Sequence, residues 1–247
     1  MKKAKQVKYL NKQFKKMLQQ FKLFVQTQSP EALHAFRVQV KKIKSFLTLL
    51  EAGNNNDALS KTFRPVKKIF RSAGIIRSAQ IHEKQARENN INPLKFHKEQ
   101  HEIQQEVTAR LVSKQHKLIH TIKKVKKQLQ HQMHPITNKA IRQFFTKQIQ
   151  RTRQLLKTHD FTEQLHNGRK MLKHLLYNRR LIPNVADIDI DFNKVDAMQQ
   201  VIGEWHDNKL ALEYFRLKLP EKKLIPIQQK QEALQKNVLA ESNSFLR

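Results

Sequence analysis

The sequence predicts an all-α fold in which one set of helices is followed by a second, similar set. Apolar residues recur at intervals of three and four along most of the chain, as they do on one face of an α-helix. Only 4 glycines and 7 prolines occur in the 247 residues, which favours long helices with few interruptions. After Pro135 the order of these patterns starts again, so we expect a duplicated structure with one copy at 1–132 and the other at 133–247.

The first half is predicted to contain five helices. Ser29 followed by Pro30 has the pattern of a helix N-cap and a proline at the first helical position, and Gly53 is expected to end the same helix. The predicted helices are 4–28, 30–53, a third that ends at Gly74, a fourth over 77–90, and a long fifth from Pro93 to beyond Leu129.

The second half is predicted to repeat this order, with helices over 137–158, 161–181, 193–203, 207–219 and 221–243. The alternating run 186–192 resembles a strand but is short and isolated, so we interpret it as a loop. Asp187, Asp189 and Asp191 have the first spacings of a calcium-binding loop. Phe192 stands where such a loop needs its glycine, which argues against a metal.

One predicted helix in each half carries a cationic stripe with the same spacing. The first stripe, at positions i, i+3, i+7 and i+10, consists of His34, Arg37, Lys41 and Lys44. The second stripe repeats the first three positions and adds a residue further along the helix: His166, Arg169, Lys173 and Arg180. The shared spacing places the side chains within roughly 80° of one another, beside the apolar face. A solvated helix face would explain a single stripe, whereas the repetition favours a binding surface presented twice.

A second element, centred on a glycine, also occurs in both halves. Gly74 is followed three places on by Arg77, and Gly203 is followed by His206. We expect each glycine to end one helix and to let the next begin at an angle. Asp207 is interpreted either as the N-cap of that next helix or as a carboxylate that orients a neighbouring basic side chain.

Lys68 and Arg71 lead into the first of these glycines and are further candidates for anion binding. Together with Arg64 and Lys67 they lie opposite the apolar face of their helix. This is where solvated charge is expected.

The composition bounds the partners of the chain. Lysine and arginine number 49 against 20 acidic residues, which gives a formal net charge of +29 and a pI near 10.4. Such an excess repels itself unless a partner neutralises it, and a partner rich in phosphate is the common case. Cysteine is absent, which excludes disulfides and thiolate metal sites. We find no signal-like N-terminus and no apolar run of bilayer length, so we expect a cytoplasmic protein without membrane insertion.

The motifs taken together resemble those of the conserved histidine α-helical domain, the CHAD family. In chain order the similarity rests on His34-x-x-Arg37-x-x-x-Lys41, Gly74-x-x-Arg77, His166-x-x-Arg169-x-x-x-Lys173 and Gly203-x-x-x-Asp207. The resemblance implies two similar antiparallel helical bundles related by an internal pseudo-twofold. It further implies a basic cleft or channel between the bundles that binds inorganic polyphosphate.

The resemblance also implies which residues face the ligand. In the first copy they are His34, Arg37, Lys41, Lys42 and Lys44, with Arg77 at a further motif position. In the second copy they are His166, Arg169 and Lys173. Three positions depart from the family pattern: Ser78 replaces the usual aspartate, and His174 and Leu176 replace expected basic residues. We therefore expect the first copy to dominate binding.

The implied role is that of a targeting or accessory module, for example at polyphosphate granules. We expect no enzymatic activity, no cofactor and no metal, since no nucleophile triad, phosphate-cradling glycine loop or paired carboxylates are visible. RNA or single-stranded DNA is the alternative partner, because phosphate charge and counterion release act there too. Base recognition would add exposed aromatic residues, whereas the 14 phenylalanines mostly fall on apolar faces. His34 and His166 are interpreted either as donors that tighten binding as the pH falls or as structural groups.

Overall fold

The computed structural model describes residues 1–54, 57–89, 94–157, 161, 163–179 and 190–246. All regular structure in these ranges is helical, which confirms the predicted all-α class. The helices are α1 (Lys3–Thr27), α2 (Pro30–Asn54), α3 (Ala58–Thr62), α4 (Arg64–Glu88), α5 (Leu94–Ser113), α6 (Gln115–Gln132), α7 (Asn138–Lys157), α8 (Glu163–Asn178), α9 (Phe192–Arg216) and α10 (Ile225–Leu246). None of the described helices combines the length and the hydropathy needed to cross a membrane.

The chain divides into two compact units. Unit 1 comprises Met1–Glu83 and Asn92–Ile141, and unit 2 comprises Lys84–Ile91 and Arg142–Arg247. The division of the sequence repeat at 132/133 stays a prediction.

The core of unit 1 forms where the apolar faces of α1 and α2 meet. The apolar α1 positions spaced three and four apart are 0–1% exposed: Leu10, Phe14, Met17, Phe21 and Phe24. The Phe21 ring packs on Phe36 with ring centroids 5.3 Å apart, and Tyr9 packs on Phe46 at 4.6 Å. Burial of each such side chain stabilises the fold by about 1.5–3 kcal/mol. At the start of α2 the backbone N–H of Ala32 donates to Ser29 Oγ at 3.2 Å, as expected for an N-cap.

In unit 2, α9 packs against both α8 and α10. Trp205 on α9 is 1% exposed and packs on Phe161 at 5.4 Å between ring centroids. The buried Asn208 donates from Nδ2 to the Ile227 carbonyl at 3.1 Å and to Gln231 Oε1 at 2.7 Å. These contacts attach α10 to the face of α9 that carries Trp205.

The predicted helix breaks at Gly74 and Gly203 are wrong. Helix α4 passes through Gly74 and α9 passes through Gly203, where two separate helices were expected on each occasion. Neither glycine has a positive φ angle, so neither adopts the left-handed conformation that ends many helices. Asp207 therefore lies inside α9 and is not an N-cap; that position belongs to Asp191, whose carboxylate accepts from the N–H of Asn193 at 2.8 Å.

Other boundaries differ from the prediction in smaller ways. The long fifth helix is divided at Lys114 into α5 and α6. The short α3 was not predicted, and it is held by Glu51, which accepts from the N–H and the hydroxyl of Ser60 at 2.5 and 2.6 Å. The predicted end of α8 at 181 and the acidic residues Asp187 and Asp189 lie outside the described residues.

Candidate functional site

The first stripe lies along α2, beside the buried face of that helix. His34 and Lys44 are exposed, whereas Arg37 and Lys41 are partly buried, as is the neighbouring Lys42. The adjoining apolar positions are 0–2% exposed: Leu33, Phe36, Val40 and Ile43. The stripe therefore borders the core of unit 1, as the spacing predicts.

Arg37 is held on the backbone of α4. Its Nη1 donates to the Phe70 carbonyl at 2.7 Å, and its guanidinium lies over the Phe70 ring, 4.1 Å from the centroid. Gly74 lies directly beneath the Arg37 guanidinium. A Cβ atom at this position would be only 2.8 Å from Arg37 Nη1. A glycine inside a helix costs roughly 1 kcal/mol relative to alanine, and here it makes room for an arginine of another helix.

Arg77, one turn beyond Gly74 on α4, acts on Arg37 through its charge. Burial, followed by the positive charge of Arg77, lowers the pKa of Arg37 to about 10. The guanidinium remains charged at neutral pH. Two like charges therefore lie close together in a partly desolvated place, an arrangement that a bound anion would relieve.

A second group of cations lies between α2 and α4 at Lys67. Burial is the main cause that lowers the pKa of Lys67, and the charge of Lys44 is the next, with Arg64 and Arg71 adding to it. The negative charge of Glu51 acts in the opposite direction and favours the charged form of Lys67. Lys67 was expected to be solvated and was not a predicted site residue. The charges of Lys44 and Glu51 on α2, which act on Lys67 in the folded protein, place it in this group, whereas its position in the helical pattern does not.

The other two candidates on α4 are both exposed. The positive charge of Arg71 contributes to the lowered pKa of Lys67. Lys68 is exposed on the same helix. The structure therefore links Arg71 to the group around Lys67.

Unit 2 contains a guanidinium contact of the same kind. Arg169 on α8 donates from Nε to the Gln199 carbonyl of α9 at 3.2 Å. A Cβ atom at Gly203 would be 2.7 Å from Cζ and 2.9 Å from Nε of Arg169, and it would also overlap Nη2. In both units the accepting carbonyl lies four residues before the glycine. Burial is the main cause that lowers the pKa of Arg169, and the nearby Asp207 opposes it.

His166 of the second stripe stacks on His206 of α9. Their ring centroids are 3.9 Å apart and their planes differ by 31°. Burial, followed by the charge of His206, lowers the pKa of His166 to about 4, and burial also lowers the pKa of His206. Within the described residues, the buried Nδ1 of His166 has no hydrogen-bond partner. The corresponding His34 is exposed, so the two predicted histidines lie in different environments.

Lys173 completes the described part of the second stripe. Burial, followed by the charge of Arg169, lowers its pKa to about 8, while Asp207 and Asp196 favour its charged form. Asp207 thus favours the charged forms of Arg169, Lys173 and His206, and its second interpretation, as a carboxylate that orients a basic side chain, stays a prediction. Arg180 lies outside the described residues, and His174 and Leu176 are partly buried.

Both units therefore group nitrogen donors. In unit 1 the cations of the group outnumber the carboxylates, whereas in unit 2 Glu163, Asp196 and Asp207 lie near the donors as well. Unit 1 groups Arg37 with Arg77 and Lys44 with Lys67. Unit 2 groups the His166 ring pair with Arg169 and Lys173. Charge-assisted N–H donors of this kind suit the oxygen atoms of phosphate, which arginine binds in a planar fork and lysine as a mobile charge.

A family model described as the CHAD domain matches residues 8–216 of the chain. This range includes both glycines, Asp207 and every described residue of the two stripes. No curated protein and no solved structure matches the chain.

Proposed function

The chain belongs to the CHAD domain family, and on that premise we propose that it binds inorganic polyphosphate. The binding groups are those on α2 and α4 in unit 1 and those on α8 and α9 in unit 2. The observation that carries the proposal is the partly buried Arg37, whose guanidinium is held on α4 by the Phe70 carbonyl and whose charge is opposed by that of Arg77. The family is associated with polyphosphate in general, and the arrangement of these two arginines supports that ligand for this chain.

Such a pair indicates an anion-binding site because the charge of Arg37 is unfavourable in the unliganded protein and a bound anion would neutralise it. Burial and repulsion both act against the charge of Arg37, and no described carboxylate within ion-pair distance neutralises it. Burial and the charges of Lys44 and Arg71 likewise act against the charge of Lys67, and Glu51 opposes them only in part. A linear polyanion offers many oxygen atoms along a flexible chain, so it can neutralise both groups at once.

We propose in addition that the two units are copies of one helical repeat, with one binding face in each. The support is the contact that each unit makes between an arginine, a main-chain carbonyl and a glycine. Arg37 uses the Phe70 carbonyl and Gly74, and Arg169 uses the Gln199 carbonyl and Gly203. The sequence patterns predict the same duplication.

The exposed surface favours polyphosphate over RNA or single-stranded DNA. Every phenylalanine, tyrosine and tryptophan among the described residues is buried or partly buried. The exposed large apolar side chains there are all aliphatic: Leu23, Ile75, Ile103, Leu210, Leu217 and Ile225. Base stacking on aromatic rings, which stabilises complexes with single strands, therefore has no exposed platform in the described part of the chain.

The proposed role is that of a binding module and not of an enzyme. A protein of this kind would direct an attached or associated activity to polyphosphate, for example at cytoplasmic granules. Attachment to such granules is a further part of the proposal.

The proposal is tested by competition and by matched charge reversals. We expect long-chain polyphosphate to displace labelled single-stranded RNA, whereas RNA at equal phosphate concentration should displace little polyphosphate. The variant Lys44→Glu with Arg71→Glu should weaken polyphosphate binding far more than Lys12→Glu with Lys16→Glu. All four side chains are exposed, and the two variants change the net charge equally. Equal losses would mean that net charge alone drives binding, and efficient displacement by RNA would favour the nucleic-acid alternative.

A further inference from the structure

Each unit contains one glycine at which an arginine from another helix fills the space that a side chain would take. The built Cβ positions at Gly74 and Gly203 meet the guanidinium groups of Arg37 and Arg169 at less than normal contact distance. Both glycines lie in helix interiors without positive φ. The usual conformational reasons for glycine therefore do not apply to either position.

Gly168 provides a comparison within unit 2. It is buried in α8 and directly precedes Arg169, but a Cβ atom there would meet only Leu155, at 4.0 Å. That is an ordinary packing distance. A close approach by a guanidinium therefore distinguishes Gly74 and Gly203 from Gly168, another helical glycine of the same protein.

The contact fixes the direction of the guanidinium. One N–H of Arg37 donates to the Phe70 carbonyl, and the aromatic ring of Phe70 lies under the guanidinium group of Arg37. Arginine carries five N–H donors in a rigid fork, so several remain for an anion once one of them is used. A fork that is already oriented loses less conformational freedom when it binds phosphate.

We propose that Gly74 and Gly203 are positioning residues for anion binding, each acting through the arginine that lies on it. This inference rests on the proposed function. A methyl group at either position displaces the guanidinium from the helix backbone. The arginine keeps its charge but loses its orientation, so the affinity for the anion falls while the unit remains folded.

The experiment compares Gly74→Ala, Gly203→Ala and the control Gly168→Ala in the full chain. Binding of long-chain polyphosphate is measured at several salt concentrations, and folding is checked by thermal unfolding. We expect binding to weaken by about ten-fold for each of the first two variants, which corresponds to one oriented charge-assisted contact. The logarithm of the association constant should also depend less steeply on salt, because fewer ionic contacts form. Gly168→Ala should bind as the parent does.

A double-mutant cycle separates positioning from a general effect on the fold. In an Arg37→Lys background there is no guanidinium to displace, so adding Gly74→Ala should change the affinity little. An equal loss in both backgrounds would overturn the inference, as would parental affinity in Gly74→Ala and Gly203→Ala. If Gly74→Ala does not fold, adding Arg37→Lys should restore folding, and failure of that rescue also overturns it.

The outcome for the parent protein distinguishes this inference from the proposed function. A parent that does not bind polyphosphate contradicts the proposed function itself. A parent that binds, with glycine variants that bind equally well, contradicts only the positioning role.

Discussion

The imidazole rings of His166 and His206 stack with their centroids 3.9 Å apart, joining α8 to α9. Lys170 and Arg169 add positive charge near this pair, while Glu163 and Asp207 add negative charge. Protonation of either ring places a charge next to its partner in a partly desolvated environment. We therefore expect the pair to make two properties depend on pH: the stability of unit 2 in the free protein and the affinity of the protein for polyphosphate.

We expect the free protein to lose stability as the pH falls from about 6.5 to about 4. Folding lowers the pKa of His166 to about 4, so the unfolded chain takes up a proton first and protonation favours unfolding in that interval. Trp205 is the single tryptophan and is buried in unit 2, so its fluorescence reports this transition during urea titrations. His166→Gln should flatten the pH dependence, whereas the exposed His120→Gln should leave it unchanged. If the unfolding free energy of His166→Gln depends on pH as steeply as that of the parent, His166 is not the group responsible.

Polyphosphate binding should tighten as the pH falls from 7 to 5. A polyanion near the ring pair favours the imidazolium forms and raises the pKa of both histidines, so binding takes up protons. Calorimetry in buffers of different ionisation enthalpy measures that uptake directly. Replacement of both His166 and His206 by asparagine should abolish it, and the exposed His120→Gln serves as the control. Undiminished proton uptake in the double variant would exclude the pair as its source.

Binding should also weaken as the pH rises through 8 to 9. The pKa of Lys173 is lowered to about 8 by burial and by Arg169, so the free protein loses this cation over the interval. The variant Lys173→Arg stays charged and should bind with little change between pH 7 and pH 9. A parent and a variant with equal losses would show that another group is responsible.

Asn208→Ala should lower the free energy of unfolding of unit 2 by about 2 kcal/mol. The substitution leaves the Ile227 carbonyl and Gln231 Oε1 without their buried donor, and an unmet buried acceptor costs about 1–3 kcal/mol. Urea unfolding followed by Trp205 fluorescence measures the change. Asn237→Ala, on an exposed position of α10, is the matched control. A loss no larger than that of the control would show that these bonds contribute little.

Periodicity and capping patterns predicted most of the helices. The recurrence of Leu10, Phe14, Met17 and Phe21 indicates α1, and Ser29 with Pro30 indicates the start of α2. Such signals are local, and the structure retains them because the same side chains form the core. The division at Lys114 has no comparable signal, since neither glycine nor proline occurs near it.

The glycines show where local reasoning fails. Gly74 and Gly203 have the sequence pattern of helix ends, but a contact with an arginine from another helix explains them instead. The N-cap interpretation of Asp207, one of the two given for it, is wrong for the same reason, because this residue lies inside α9 beside cations. Lys67 was missed because its helical position predicts a solvated charge, whereas proximity to Lys44 on α2 makes it part of the group. Each of these errors concerns a contact between residues far apart in the sequence.

The arginine contact uses a main-chain oxygen as its acceptor, and this has an evolutionary consequence. No substitution of Phe70 or Gln199 that preserves the helix can delete the carbonyl, so the hydrogen bond itself does not constrain the side chain at either position. One of these side chains is aromatic and the other an amide, yet each carbonyl accepts a hydrogen bond from an arginine. Mutational constraint therefore falls on the glycine one helical turn later and on the arginine, and a search for matching side chains would overlook the acceptor.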